Sequence, residues 1–221
     1  RQRQMCIRDS FVAKDDNFLG FANRVAEIAL ASGTEDVKAL GEAEFADGET
    51  VEARRQQLVA KLGENIQLRR TAHMEVDGGV IGRYIHGGRI GVLVGLQGGN
   101  EELARDIAMH VAALNPPYVD EDAVPAEVLE REKNILKAQA EESGKPAEII
   151  EKMIAGRLRK HLAEITLVGQ PFVKDGDQTV GKLLESAGAR VVGMVRLEVG
   201  EGIEKEESDF AAEVMQQARG N

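Results

Sequence analysis

The sequence has 221 residues, of which 43% are hydrophobic and 30% charged, the balance of a globular protein large enough to fold without disulfide bonds. Its formal net charge of −10 argues against nucleic acid or an anionic membrane surface as the main partner, because phosphate groups reward clustered lysine and arginine. The single cysteine, Cys6, allows no intrachain disulfide, which fits a reducing compartment. No apolar run is long enough to cross a bilayer, so we expect a cytoplasmic protein with no membrane partner.

Two helices are predicted in the first part of the chain. Residues 1–8 are polar and have neither helical nor strand periodicity. Residues 16–31 and residues 50–62 each place apolar side chains on one helical face, and Gly33 and Gly63 follow as stops. The inward-facing residues are Phe18, Phe21, Val25 and Ile28 in the first helix and Val51, Leu58 and Leu62 in the second.

Three β-like segments follow these helices. They comprise residues 66–76, 80–86 and 89–96, which are bounded by turn residues and rich in β-branched or alternating apolar residues. The glycine-containing turns at 77–79 and 87–88 are short. We therefore predict that the three segments form an antiparallel meander.

A capped helix and a helical hairpin come next. Asn100 precedes an amphipathic segment whose apolar stripe is Leu103, Ile107, Val111 and Leu114. Residues 125–143 and 146–162 predict two further helices, and so short a turn between them requires an antiparallel pair. The predicted seam comprises Val128, Ile135, Leu136, Ile150, Met153, Ile154, Leu158 and Leu162. This hairpin has more aliphatic residues than the contact between its two helices can bury. It is therefore a candidate for self-association, with ordinary core packing as the alternative.

The chain returns to a sheet after the hairpin. Residues 165–168 and 190–199 predict strands that flank a short helix over residues 179–185. The last segment, residues 208–219, predicts an amphipathic helix with Phe210, Val214 and Met215 to bury. These elements together indicate an α+β fold in which the helical hairpin is an insertion.

Motifs for catalysis or metal binding are missing from the sequence. The four histidines are scattered and form no pair with zinc-ligand spacing; they are His73, His86, His110 and His161. No phosphate-binding glycine loop or nucleophile elbow is present, and paired carboxylates in so acidic a chain are solvated faces. We expect a binding protein with no cofactor and no metal, and we interpret His110, beside an apolar stripe, as a satisfied core histidine.

Several segments, in order and in register from residue 11 onward, resemble the bacterial-type elongation factor Ts family. The matching segments are Phe11-Val12-Ala13-Lys14-Asp15, Gly63-Glu64-Asn65-Ile66, Tyr84-Ile85-His86-Gly87-Gly88-Arg89-Ile90-Gly91, Ser143-Gly144-Lys145-Pro146, Leu167-Val168-Gly169-Gln170-Pro171-Phe172 and Val199-Gly200-Glu201-Gly202-Ile203-Glu204-Lys205. Each segment alone is a weak signal, but so many in register make coincidence implausible.

The chain departs from the family pattern at its N-terminus. The family begins with a small three-helix, ubiquitin-associated-like domain and a strand, which have no counterpart here. The family pattern Cys-Gln-Thr-Asp-Phe-Val appears as Ile7-Arg8-Asp9-Ser10-Phe11-Val12, so Ser10 stands where the family has Asp. We interpret residues 1–10 as an atypical N-terminal remnant.

The resemblance implies an α+β fold with two subdomains, each an antiparallel sheet packed by helices, together with an inserted antiparallel helical hairpin and a C-terminal helix. The corresponding divisions are 11–62 for the N-subdomain, 63–123 with 165–205 for the C-subdomain, 124–164 for the hairpin, and 206–221 for the C-terminal module. The hairpin would serve homodimerisation.

The resemblance also implies a nucleotide exchange factor, not an enzyme, whose partner is the GDP-bound GTPase elongation factor Tu. A wedge beside the magnesium site of that GTPase would comprise Asp9, Ser10, Phe11 and Val12. His86 would press near its phosphate-binding loop, and Phe210 in the C-terminal helix is a further candidate contact.

Other interpretations of these residues stay open at this stage. Phe11 could simply begin the Phe18 and Phe21 core cluster, His86 could satisfy its own turn backbone, and Phe210 could cap the core. The main alternative function is a helical-hairpin scaffold or adaptor without exchange activity. A hydrolase that uses His86 with a carboxylate is a more distant one.

Overall fold

Seven helices and seven short strands make up the computed structural model, which describes residues 12–141 and 146–202. The helices are α1 (Asp16–Ser32), α2 (Val37–Glu42), α3 (Val51–Leu62), α4 (Glu101–Leu114), α5 (Ala126–Glu141), α6 (Ala147–Ile165) and α7 (Val180–Ser186). The strands are β1 (Glu44–Ala46), β2 (Glu49–Thr50), β3 (Val80–His86), β4 (Ile90–Gln97), β5 (Pro171–Phe172), β6 (Asp175–Thr179) and β7 (Arg190–Glu198). All of the sheets are antiparallel, so the predicted α+β class is confirmed.

Local sequence sets the ends of the main helices. Asp15, Thr50 and Asn100 precede α1, α3 and α4, and each side-chain oxygen accepts a hydrogen bond from a backbone N–H two or three residues later. Gly33 and Gly63 end α1 and α3 with φ angles of 61° and 71°, which glycine adopts without steric cost. The first two predicted helices are therefore confirmed with their stop signals.

The first hydrophobic cluster is formed by α1, α2 and α3. Its buried residues are Phe21, Val25, Leu40, Val51 and Leu58. Phe18, Ile28 and Leu62 pack against this cluster while remaining half-buried. The predicted apolar faces of α1 and α3 are thus the faces that pack together, with α2 and the hairpin of β1 and β2 as additions that the sequence patterns missed.

The second cluster lies between α4 and the three-stranded sheet of β3, β4 and β7. The central strand β4 pairs with β3 through Tyr84 and Val92, and with β7 through Val94 and Met194. Val92, Val94 and Leu96 of β4 are buried together with Ile107 and Val111 of α4. Leu114, predicted for the same stripe of α4, is exposed at the last position of the helix.

The predicted strand over residues 66–76 is wrong, and so is the meander that included it. This segment has no regular secondary structure, and the third strand of the sheet is β7. The sheet has the order β3, β4, β7, and the segment lies across one face of it instead of joining an edge. Met74 and Val76 pack there over the bare backbone of Gly95.

Helices α5 and α6 pack against one another, as predicted for the hairpin. Leu136 and Leu162 are buried, but Ile135, predicted for the seam, is 45% exposed because its neighbour Leu136 takes the inward position. The predicted strand at 165–168 is also wrong. Helix α6 runs to Ile165, and Thr166 bonds back to the carbonyl of Leu162 and forms only a single bridge with Tyr118.

A buried polar chain joins α4 to the loop after α6. The backbone N–H of Val173 donates to Nδ1 of His110 at 3.2 Å, so Nε2 carries the proton and donates to Oε1 of Gln170 at 3.0 Å. The amide nitrogen of Gln170 then donates to the carbonyl of Glu164 at 2.7 Å. His110 is fully buried with both ring nitrogens satisfied, which confirms its interpretation as a core histidine.

Replacement of Gly82 by alanine tests the contact between β3 and α4. A Cβ atom at Gly82 would overlap the backbone carbonyl group of Ala104, so the helix would have to move away from the strand. We expect Gly82→Ala to lower the free energy of unfolding, measured in urea, by about 2–3 kcal/mol. The matched control is Gly91→Ala in β4, where a Cβ atom meets nothing within 4 Å. Equal stability of the two variants would contradict this packing.

The pH dependence of stability tests the His110 chain. Burial lowers the pKa of His110 below its ordinary value of 6.5, and the bond to Gln170 offsets this only in part. Below about pH 6.5, His110 is therefore protonated in the unfolded state but stays neutral in the folded state. As the pH falls in this range, the free energy of unfolding decreases by up to about 1.4 kcal/mol per pH unit. We expect His110→Leu to be less stable at pH 8 and to lose this acid dependence in urea titrations. An identical pH profile in both proteins would argue against it.

Candidate partner-binding site

A tight turn at the end of β3 presents His86. Gly87 and Gly88 follow it with φ angles of 58° and 70°, both in the left-handed region that favours glycine. The backbone N–H of Arg89 closes the turn by donating to the carbonyl of His86 at 3.0 Å. Two adjacent left-handed residues are the geometry of a hairpin turn that matches the strand twist, which explains the Gly87-Gly88 pair.

The imidazole of His86 is exposed and is held from one side by Tyr84. The hydroxyl of Tyr84 lies 3.2 Å from Nδ1 of His86, and the two ring centroids are 6.1 Å apart. Tyr84 itself is half-buried against the second hydrophobic cluster. The ring thus bonds a tyrosine hydroxyl and not its own turn backbone, and its Nε2 atom makes no hydrogen bond within the part of the chain that the structure describes.

The segment just before α1 contains the only member of the predicted wedge that the structure describes. Val12 is half-buried, and its carbonyl accepts a hydrogen bond from the backbone N–H of Asp15 at 3.0 Å. Asp15 in turn caps α1, and its hydrogen bonds, first that to the side chain of Asn17, lower the pKa of its carboxyl. The direction of the chain as it enters α1 is therefore fixed by a cap.

The other predicted contact residues, Asp9, Ser10, Phe11 and Phe210, lie outside the described residues. Val12 precedes the helix that supplies Phe21 to the first cluster, whereas His86 ends a strand of the second cluster. The structure therefore places Val12 and His86 on different halves of the fold and does not bring them into contact.

An open groove between α1 and α3 begins at Asn17, in the first turn of α1. Its apolar floor includes Phe21 and Phe45, whose rings stack with centroids 5.7 Å apart. Its lining includes three cationic side chains, Arg24, Arg54 and Lys61. Arg24 and Arg54 are paired with the neighbouring carboxylates of Glu27 and Glu49, at 3.1 Å and 3.9 Å. The groove therefore offers a stacked aromatic floor bordered by cations that are partly neutralised.

The described residues contain neither a metal-binding cluster nor a membrane-spanning helix. Over residues 12–141 and 146–202, no group of three or more His, Cys, Asp or Glu side chains is arranged to hold a metal ion. No helix in those ranges is both long and apolar enough to span a bilayer.

Two features of the site were missed by the sequence patterns. Tyr84 lies two residues before His86 in the same strand and hence on the same face, so the period of two could have revealed it. Arg70 bonds the backbone carbonyl of Glu198 from 128 positions away, and no local pattern predicts that contact.

Comparisons with known proteins identify the family. The family model described as Elongation factor TS matches residues 9–201. The chain is 60% identical over 210 residues to elongation factor Ts of Alcanivorax borkumensis, covering 95% of this chain and 73% of that protein. It is 62% identical over 211 residues to elongation factor Ts of Thioalkalivibrio sulfidiphilus, covering 95% of this chain and 72% of that protein. On these findings, the chain belongs to the elongation factor Ts family.

Proposed function

We propose that this chain is a guanine nucleotide exchange factor that binds GDP-bound elongation factor Tu and promotes GDP release during translation elongation. The observation that carries the proposal is the exposed imidazole of His86, presented on a two-glycine turn in a chain that belongs to the elongation factor Ts family. In this proposal the chain acts by binding another protein and performs no covalent chemistry.

His86 acts on the phosphate-binding loop of the GTPase. The hydroxyl of Tyr84 restrains the ring at Nδ1, and the other ring nitrogen, Nε2, is the atom offered to the GTPase. Displacement of the phosphate loop removes backbone N–H donors from the β-phosphate of GDP. Because the turn backbone is fixed by its own hydrogen bond at Arg89, the strand transmits the contact as a rigid element.

Residues 9–12 act on the magnesium site. Bound Mg²⁺ is the largest local charge that holds the diphosphate, so movement of its ligands weakens GDP binding without any contact to the base. Asp15 caps α1 shortly after this segment, and the groove between α1 and α3 extends the surface available to the partner. Asp9, Ser10, Phe11 and Val12 form the proposed wedge.

One aromatic contact is too weak to account for exchange. Burial of a phenylalanine contributes about 1.5–3 kcal/mol, and each 1.4 kcal/mol is tenfold in affinity, so Phe11 alone supplies at most about a hundredfold. The second contact at His86 and a broader docking surface are therefore part of the mechanism.

The organisation of the chain follows from the same family assignment. We propose an N-subdomain over 11–62, a C-subdomain over 63–123 and 165–205, and a hairpin over 124–164 that forms a homodimer in the cytoplasm. Exposed Ile135 and Ile149, at 45% and 47%, supply apolar surface for that contact. The C-terminal module over 206–221 adds a contact to the GTPase through Phe210.

GDP release measures the proposed function directly. Elongation factor Tu is loaded with fluorescent GDP, and release is timed after addition of the native chain, Phe11→Ala or His86→Ala. We expect the native chain to accelerate release, Phe11→Ala to slow it by about tenfold to a hundredfold, and His86→Ala by about tenfold. The control His161→Ala removes an imidazole from α6 and should leave release unchanged.

The same assay separates the alternatives. If the native chain does not change the rate of GDP release, the result would favour the alternative hypothesis of a helical-hairpin scaffold or adaptor. Hydrolysis of a small substrate, lost in His86→Ala, would favour a hydrolase.

Substitution at Ser10 tests the wedge. A carboxylate at this position adds a charge beside the metal ligands of the GTPase, so we expect Ser10→Asp to speed release. The expected gain is about fivefold, equivalent to about 1 kcal/mol for a solvent-exposed charge interaction. Ser10→Asn has the same size without the charge and should match the native rate. Release that is no faster with Ser10→Asp than with Ser10→Asn would remove Ser10 from the wedge.

A further inference from the structure

Two adjacent arginines hold the end of β7. One guanidinium nitrogen of Arg70 donates to the Glu201 carboxylate at 3.0 Å, and the other donates to the carbonyl of Glu198 at 3.0 Å. Arg69 donates to the carbonyl of Glu201 at 3.1 Å. We call Arg69, Arg70, Glu198 and Glu201 the arginine clamp.

On one side, the clamp leads directly to the His86 turn. Val199, between the two clamped glutamates, donates its backbone N–H to the carbonyl of Arg89 at 2.9 Å. Glu198 is the register partner of Ile90, the first residue of β4. Arg89 in turn bonds the carbonyl of His86, so the clamped end of β7 and the turn that presents His86 are joined by consecutive backbone hydrogen bonds.

On the other side, the clamp leads to the half of the fold that carries the wedge. Ile66 and Leu68, just before the arginines, pack on the cluster formed by α1, α2 and α3. Arg55 of α3 also donates to the carbonyl of Ile66. The hydrogen bond from Arg55, and next that from Gln56, lowers the pKa of the Glu52 carboxyl to about 2, so the ion pair that orients Arg55 persists at neutral pH.

The arginine clamp lies at the connection between the two hydrophobic clusters, where the chain has no regular secondary structure. Residues 66–76 form no strand, so no ladder of backbone hydrogen bonds fixes the connection. Met74 and Val76 rest on the sheet through apolar contacts, which are not directional. The side chains of Arg70 and Glu201 are 40% and 41% exposed, so neither cluster needs them as core.

We infer that Arg69 and Arg70 are positioning residues for nucleotide exchange: by clamping Glu198 and Glu201 they hold the His86 turn at a fixed place relative to the segment that enters α1. This inference rests on the proposed function. Two contacts on one GTPase reinforce each other only when their separation matches the spacing of the two sites, because the second contact is then made at a high effective concentration. Loosening the clamp leaves both contact residues intact but spoils their spacing.

A distance measurement tests the mechanical part without any GTPase. Nitroxide labels are placed on Lys14→Cys and Ile85→Cys, both exposed positions, in a chain with Cys6→Ser, and the distance distribution is recorded by electron spin resonance. We expect a narrow distribution that broadens when Arg70→Gln is added. The control Arg190→Gln, at the opposite end of β7, should not broaden it. A distribution unchanged by Arg70→Gln overturns the inference, whatever the exchange assay shows.

A double-mutant cycle of GDP release rates tests whether Arg70 acts on exchange through His86. We expect Arg70→Gln to slow GDP release by about threefold to tenfold, below the roughly hundredfold that a misplacement of about 1 Å can cost. Because Arg70 acts through the placement of His86, the same change in a His86→Ala background should slow release by less than about twofold. Urea unfolding midpoints close to that of the native chain show that the effect is local.

The outcomes separate this inference from the proposed function. If the native chain does not accelerate GDP release, the proposed function fails, while the distance distributions still decide whether the clamp holds the two halves. If release is accelerated but Arg70→Gln slows it equally with and without His86, the positioning role is overturned and the proposed function stands.

Discussion

The pairing of β4 with β7 is the contact on which the rest of the fold depends. It joins segments about a hundred positions apart, and α4, α5 and α6 lie between them in the chain. The pairing makes β4 a central strand and buries Val92, Val94 and Leu96 against α4. It also brings the end of β7 beside the turn that presents His86. Without that pairing, the turn would be the tip of a two-stranded hairpin packed on α4, instead of part of a three-stranded sheet.

Polar contacts at the margins of the two clusters give the site its direction. A tyrosine hydroxyl restrains His86, a capping carboxylate fixes the start of α1, and two arginines tie the end of β7 to the segment after α3. Each of these is individually weak at an exposed position. They act together because each joins two elements that apolar packing has already brought close. The cores therefore supply stability, and these side chains supply the orientation that the proposed two-point contact with a GTPase requires.

Local sequence predicts the elements whose signals are local. Capping residues such as Thr50 and Asn100, glycine stops, and the Gly87-Gly88 turn gave α1, α3, α4 and the hairpin of β3 and β4. A strand was wrongly predicted over residues 66–76 because the apolar residues of this segment contact two different surfaces. Ile66 and Leu68 pack on the first cluster, whereas Met74 and Val76 pack on the face of the sheet. Arg70 and Glu198 could not be paired from sequence, since they are 128 positions apart and Arg70 lies in a segment without regular structure.

Thermodynamic linkage provides the most direct measurement of the central claim. The dissociation constant of GDP from elongation factor Tu is measured with and without a saturating amount of this chain, and that of the chain is measured with and without saturating GDP. Binding free energies are reciprocal, so we expect the chain to weaken GDP binding and GDP to weaken binding of the chain by the same factor. A GDP dissociation constant that stays the same when the chain is bound would contradict the claim that this protein loosens the nucleotide.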